Sequence, residues 1–215
     1  MHARITLGLF AALIANSAVA EDHSVGAKFG LLGLGVEYTN QINELVSARA
    51  SINGSSYSFD DSKSGIDYSL SLDFDSIAVG VDFHPGNKAT RFSIGFLSND
   101  NAINARNNPT QSFNIGGTTY TAAEVGTLSA GIGFDSAAPY AGIGWNWMRD
   151  KNVGVTLDIG VVSQGSPSVR ISADGPILGD PQFDADIAAE ERELEADLDD
   201  FDLYPFASLG FVFRF

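Results

Sequence analysis

The side chains able to do chemistry are few. The chain has three histidines and no cysteine, which removes thiolate catalysis, disulfides and Cys-ligated zinc together. His2 and His23 lie at the start, leaving His84, in His-Pro-Gly-Asn, two residues after Asp82. Ser–His–acid catalysis needs a histidine beside a nucleophile, whereas His-Pro-Gly-Asn has the composition of a turn. No catalytic residue is expected, and the chain is read as not an enzyme. Gly26-x-x-x-Gly30-x-x-Gly33-x-Gly35 superficially matches a dinucleotide loop. It lies in an alternating stretch with no helix after it, which that motif requires, so no cofactor is expected. Acids concentrate in 180–202, eleven against the single base Arg192. Carboxylates suit Ca²⁺ or Mg²⁺, but there is no Asp-x-Asp-x-Asp-Gly loop, so no metal site is expected.

The other ions are scattered: Arg49, Asp73, Asp82, Arg91, Asp158, Arg170 and Arg214. What positions them is a period of two, the mark of half-buried strands. Val46, Ala48, Ala50 and Ile52 alternate with polar residues in 44–58. In 67–83, Tyr68, Leu70, Leu72 and Phe74 give way to Ile77, Val79, Val81 and Phe83, a slip at Asp75-Ser76 that reads as a β-bulge. The alternation continues in 90–98, 125–134, 139–147, 153–162 and 205–215, and 25–39 is an eighth strand whose phase blurs around Leu31-Leu32.

The polar side of these strands carries Ser, Gly, Asn and the ions; the other side is bulky and apolar, with Trp145, Trp147 and several Phe near strand ends. A soluble barrel would fill its inward face with large apolar residues. Apolar outside, polar inside and aromatic at the rims is instead the pattern of a transmembrane β-barrel. A water-exposed sandwich is the alternative, since its polar side would look similar strand by strand. No apolar run after residue 20 approaches the roughly 18 residues of a spanning helix. A net charge of −15 argues against a nucleic-acid partner. Residues 1–20 read as a secretory signal peptide: Arg4, an apolar core from Ile5 to Ala15, and Ala18-Val19-Ala20 before the expected cleavage point. Residues 21–215 then form one barrel domain.

The last strand carries a family resemblance. In Pro205-Phe206-Ala207-Ser208-Leu209-Gly210-Phe211-Val212-Phe213-Arg214-Phe215, residues Leu209, Phe211, Phe213 and Phe215 share one face. This resembles the C-terminal assembly signal of bacterial outer-membrane barrels, and Ala138-Pro139-Tyr140-Ala141-Gly142-Ile143-Gly144 is similar to a strand start frequent among them. The chain thus resembles the small barrels of the OmpA, OmpX and OmpW type over about residues 21–215. That resemblance implies an all-β, eight-stranded antiparallel transmembrane barrel in the outer membrane of a Gram-negative envelope. It also implies contact with outer-membrane lipid and lipopolysaccharide, the barrel-assembly machinery as partner during biogenesis, and a monomer.

An eight-stranded barrel is just wide enough for its side chains to fill it. The lumen-facing ions Arg49, Asp73, Asp82, Arg91, Asp158, Arg170 and Arg214 are therefore expected to pair across the interior. The alternative is a narrow porin-like passage for small solutes, or an opening in the wall such as the OmpW resemblance suggests. Lys28 and Glu37 stay unassigned because the phase of their strand is blurred. Residues 59–66 and 98–123 read as polar loops, the second with a hairpin at Ile115-Gly116-Gly117-Thr118. Asp180-Pro181 starts a helix whose stripe Phe183, Ile187, Leu194, Leu198 and Phe201 is expected on the barrel mouth. With eight strands so counted, 174–202 falls on one rim and 59–66 and 98–123 on the other, although such barrels keep their long loops on one side.

Overall fold

A computed structural model describes residues 23–63, 66–86, 89–109, 111–148, 152–199 and 202–215. The expected signal peptide and its cleavage point lie outside these residues, as does Phe201 of the helical stripe. Along the described chain run β1 (His23–Gly30), β2 (Gly33–Gln41), β3 (Val46–Lys63), β4 (Ile66–Phe83), β5 (Thr90–Asn99), β6 (Ala102–Asn108), β7 (Phe113–Ile115) and β8 (Thr118–Tyr120). The helical turn α1 (Ala122–Val125) follows, then β9 (Leu128–Gly133), β10 (Ala137–Met148), β11 (Val153–Ser163), β12 (Ser168–Ala173), helix α2 (Pro181–Asp197) and β13 (Leu203–Arg214).

Eight of these strands close a barrel in the order β1-β2-β3-β4-β5-β10-β11-β13, every neighbour antiparallel, with β13 returning to β1. Closure leaves no free edge, the condition for strands to cross lipid. The outward side chains are those the alternation assigns: Leu34, Val36, Ile77, Val79, Phe92, Ile94, Phe96, Trp147, Ile159, Leu209, Phe211 and Phe213 are all well exposed. Among the described residues no helix is long and apolar enough to cross a membrane.

Beyond one rim the sheet continues. The distal halves of β3 and β4 pair onward to β6, β9 and β12, giving an apron in the order β3-β4-β6-β9-β12. It has two edges, the distal half of β3 beyond Gly54, which pairs with β4 alone, and β12, which α2 covers: the Val169 and Ile171 amides donate to the Glu195 and Glu191 carboxylates at 3.0 and 2.6 Å. An uncovered edge would invite another strand. Asp180 caps α2 by accepting from the Gln182 and Phe183 amides at 2.9 and 3.0 Å. Phe183 is buried with Ile115, Tyr120 and Val125, beneath the expected hairpin β7-β8. The stripe of α2 thus packs on the apron, not on the barrel mouth as expected. The hairpin offered a second apolar surface that the strand pattern did not announce.

Three other expectations are corrected. Residues 25–39 are two strands: a tight turn at Leu31-Leu32 joins β1 to β2, with Gly33 at φ +90°, a backbone angle that favours glycine. The turn lacks the usual turn chemistry because Leu32 packs over the lumen. Conversely, 125–134 contains β9, an apron strand outside the barrel. The two errors cancel in the count and together made the loop conflict. Among the described residues the long connections leave from the rim opposite the termini, while 42–45 links β2 to β3 tightly at the near rim, where β4 is also followed by β5 and β10 by β11.

The third correction concerns Asp75-Ser76. No bulge is present: the β3–β4 register runs unbroken from Val46↔Phe83 to Lys63↔Ile66, so residues expected in a loop at 59–63 are strand. The backbone keeps its phase and the surroundings invert. In the barrel wall the apolar side of β4 faces out; in the apron Leu70, Leu72 and Phe74 lie on the lumen side, and Ser69, Ser71 and Asp73 on the outer side.

Candidate functional site

The lumen is crossed by a layer of six ions. Lys28 comes from β1, Glu37 from β2, Arg49 from β3, Asp82 from β4, Arg91 from β5 and Asp158 from β11. Arg49 reaches three carboxylates: Asp82 at 2.8 Å, Asp158 at 3.2 Å and Glu37 at 3.4 Å. Arg91 Nη2 donates to both Asp158 oxygens at 2.7 Å, and Lys28 pairs with Glu37 at 3.0 Å. Ser93 donates to Asp82 at 2.6 Å, Arg49 donates to Ser93 at 2.7 Å, and Arg91 also donates to Asn146 of β10. Three cations face three anions, so the layer is neutral.

Arg91 and Asp82 are only 3% and 2% exposed. Desolvated charges persist where geometry and extra hydrogen bonds satisfy them, and here both guanidinium groups have several acceptors. Gly144 makes the room, since a Cβ there would stand 2.8 Å from Arg91 Nε and would press on Asp158.

Toward the near rim lies a small polar cavity lined by Thr39, Ser47, His84, Asn146, Thr156 and Arg214. Toward the far rim lies another, between Lys28, Glu37 and Arg49 on one side and Leu32, Leu97 and Phe206 on the other. Each offers about 40 Å³ to the centres of water-sized molecules, room for a few waters at most. Above the second, Leu97, Ala138 and Val162 are buried together with Leu32, Tyr140, Tyr204 and Phe206 packed on them. From near rim to far rim the lumen is therefore polar pocket, ion layer, small cavity and apolar seal.

His84 lies at the near rim with its Nε2 3.0 Å from Ser47 Oγ. The geometry is not that of a triad: Ser47 is fully buried, Asp82 faces the serine and not the imidazole, and His84 Nδ1 has no partner. Among the described residues no cluster of three or more His, Asp or Glu could hold a metal ion.

No family model and no curated protein matches the chain. Solved structures do. Acinetobacter baumannii CarO2 superposes with a TM-score of 0.60 at 21% identity, covering 92% of this chain and 100% of that one. Acinetobacter baumannii CarO gives 0.58 at 22%, covering 91% and 98%. The fold is that of the eight-stranded outer-membrane β-barrels.

In this outer-membrane barrel fold the ions expected in the lumen separate into groups. Arg49, Asp82, Arg91 and Asp158 meet in the layer, and Arg214 lines the near-rim cavity. Asp73 and Arg170 do not enter the lumen. Asp73 accepts from Ser56 and Ser71 on the apron at 2.6 and 3.1 Å, and Arg170 is on β12. Alternation does not tell whether a strand lines the barrel, which misplaced Arg170, and the expected bulge at Asp75-Ser76 gave Asp73 the wrong face. Leu209, Phe211 and Phe213 point outward, and Phe215 stacks on His23 across the β1–β13 seam. Sequence reasoning missed Lys28 and Glu37 because the hairpin was read as one strand. It also missed the apolar seal, whose signal was present: Phe96-Leu97 and Val161-Val162 are adjacent apolar pairs, which in a strand makes both faces apolar.

Proposed function

We propose that the chain is a non-enzymatic integral protein of the bacterial outer membrane with a structural or surface-interaction role in the envelope, exported by a signal peptide cleaved after Ala20. The observation that carries this reading is the closed lumen: a neutral six-ion layer beneath an apolar seal, with only small cavities between. Contact with lipid and lipopolysaccharide, and monomeric assembly, belong to the same reading. The test is conductance of the refolded protein in a planar bilayer, with heat-modifiable migration confirming the folded barrel. Silence is expected. Discrete openings would replace this reading with the narrow porin-like channel, in which the two lumen cavities are stations on a path and the ion layer must part.

Leu209, Phe211, Phe213 and Phe215 serve, in this reading, as the assembly signal. Phe215→Ser should leave export intact and lower the amount of barrel in the outer membrane several-fold; normal amounts would remove the signal from the proposal.

A further inference from the structure

Outside the lumen, the outer side of the apron forms a third concavity of about 490 Å³, against about 40 Å³ for each lumen cavity. Two adjacent cross-strand rows make it. One is Ser69, Arg106, Ser129 and Ser172; the other is Ser71, Asn104, Gly131 and Arg170. The arginines stand on β6 and β12 with β9 between them, and Gly131 leaves the floor open. Two strand spacings and one residue pair along the strand separate their Cα atoms by roughly 12 Å, close enough for both guanidinium groups to converge on one small group.

The charges make this cleft unusual for the molecule. The chain holds 27 acids against 12 Lys and Arg, and the three cations of the lumen layer each have a carboxylate partner. Arg106 and Arg170 have none among the described residues. Of the nearby acids, Asp60 stands on β3 in the first row, beyond Ser69 and about 10 Å from Arg106 by two strand spacings, while Glu191 and Glu195 accept the β12 amides from the sheet edge and Asp73 accepts two serine hydroxyls. Two forked donors over a floor of hydroxyls suit a tetrahedral oxyanion, which arginine binds in bidentate fashion. The site also lies clear of the apolar belt. Ser71 is six residues beyond Ile77, about 20 Å further along the strand.

We propose that this cleft binds phosphate groups, carried on an envelope glycan or free. The inference deepens the surface-interaction part of the function proposed above. It is independent of the lumen, so a conducting barrel would overturn that reading and leave this one standing. The experiment is calorimetric titration of the refolded full-length protein in zwitterionic micelles at low salt. Three probes are used: inorganic phosphate, delipidated phosphorylated lipopolysaccharide oligosaccharide, and the same oligosaccharide after phosphatase treatment. Saturable binding of a phosphorylated probe is expected, weakened at least tenfold in R106Q/R170Q and unchanged in R192E, which lowers the net charge by the same two units on α2. Tighter binding of the oligosaccharide than of inorganic phosphate identifies a glycan source; equal binding identifies free phosphate. No saturable binding, equal binding after phosphatase treatment, or equal binding by R106Q/R170Q would overturn the proposal.

Discussion

Barrel and apron are one continuous sheet solving opposite problems. In the barrel, lipid surrounds the wall, the apolar side faces out and the ions turn inward to neutralise one another. In the apron, water lies outside, so along the same two strands the apolar side faces the lumen side and the hydroxyls face out. The edges differ too. The barrel abolishes its edge by joining β13 to β1, whereas the apron keeps two, the distal half of β3 and β12, and covers the second with glutamates from α2. Side-chain pattern thus reports the surroundings of a strand and not its backbone continuity, as the unbroken β3–β4 ladder demonstrates.

If the two regions are held by different forces, damage to one should spare the other. The largest effect is expected in the barrel. Asp158→Ala takes from Arg91 the carboxylate that receives its two 2.7 Å hydrogen bonds and from Arg49 one of its three, and breaking a buried ion pair costs about 3–5 kcal/mol. Its urea midpoint, read by loss of heat-modifiable migration, should fall well below wild type; an unchanged midpoint would mean that the layer adds little to stability. Phe183→Ala, which empties the apron core, carries a comparable cost of about 3–5 kcal/mol confined to that region. Limited proteolysis should then cut between residues 100 and 136 or 164 and 202 while the barrel keeps its migration. Simultaneous loss of both would show that apron and barrel unfold as one unit.

Smaller effects sharpen the contrast. Glu191→Gln with Glu195→Gln keeps the acceptors and removes the charge, and hydrogen bonds to charged groups contribute about 1.5–3 kcal/mol against about 1 for neutral ones. Faster amide exchange at Val169 and Ile171, with barrel exchange unaltered, is the expected outcome. The smallest is a pH response. Tyr120 donates to Asp186 at 2.6 Å. That bond pushes the phenol from 10.0 up to about 12 and, with bonds from Thr118 and Gln182, holds the carboxyl below its ordinary 3.8. A raised phenol gives stability that is complete below 10 and lost as pH climbs through 12. A lowered carboxyl gives stability that is complete above 3.8 and lost as pH falls below it. Near-ultraviolet dichroism of the apron should therefore be flat from about pH 4 to 10 and change at both ends; a mid-range transition would assign the response to another group.

Much of the barrel was legible in the sequence, because a strand in its wall must alternate and lipid accepts only one kind of outer face. Which strands belong to the wall was not. Residues 125–134 alternate as well as 139–147 do, yet only the second lines the barrel, since two-fold periodicity carries no information on which partner a strand chooses. Arg170 was misplaced for that reason, and Asp73 because a bulge was expected at Asp75-Ser76, where the β3–β4 ladder is unbroken. Leu31-Leu32 hid a turn because Leu32 packs over the lumen, against local turn preference. The neutral layer was half legible: Arg49, Asp82, Arg91 and Asp158 follow from alternation, while Lys28 and Glu37 required the correct fold of the first hairpin.

The helix along β12 has a consequence on a crowded bilayer. Neighbouring copies floating with their aprons upright could otherwise pair β12 to β12, edge to edge. Glu191 and Glu195 occupy the amides such pairing would need, and the acids along the rest of α2 present like charge to any approaching copy. Strand addition between copies is thereby blocked on the β12 side of the apron.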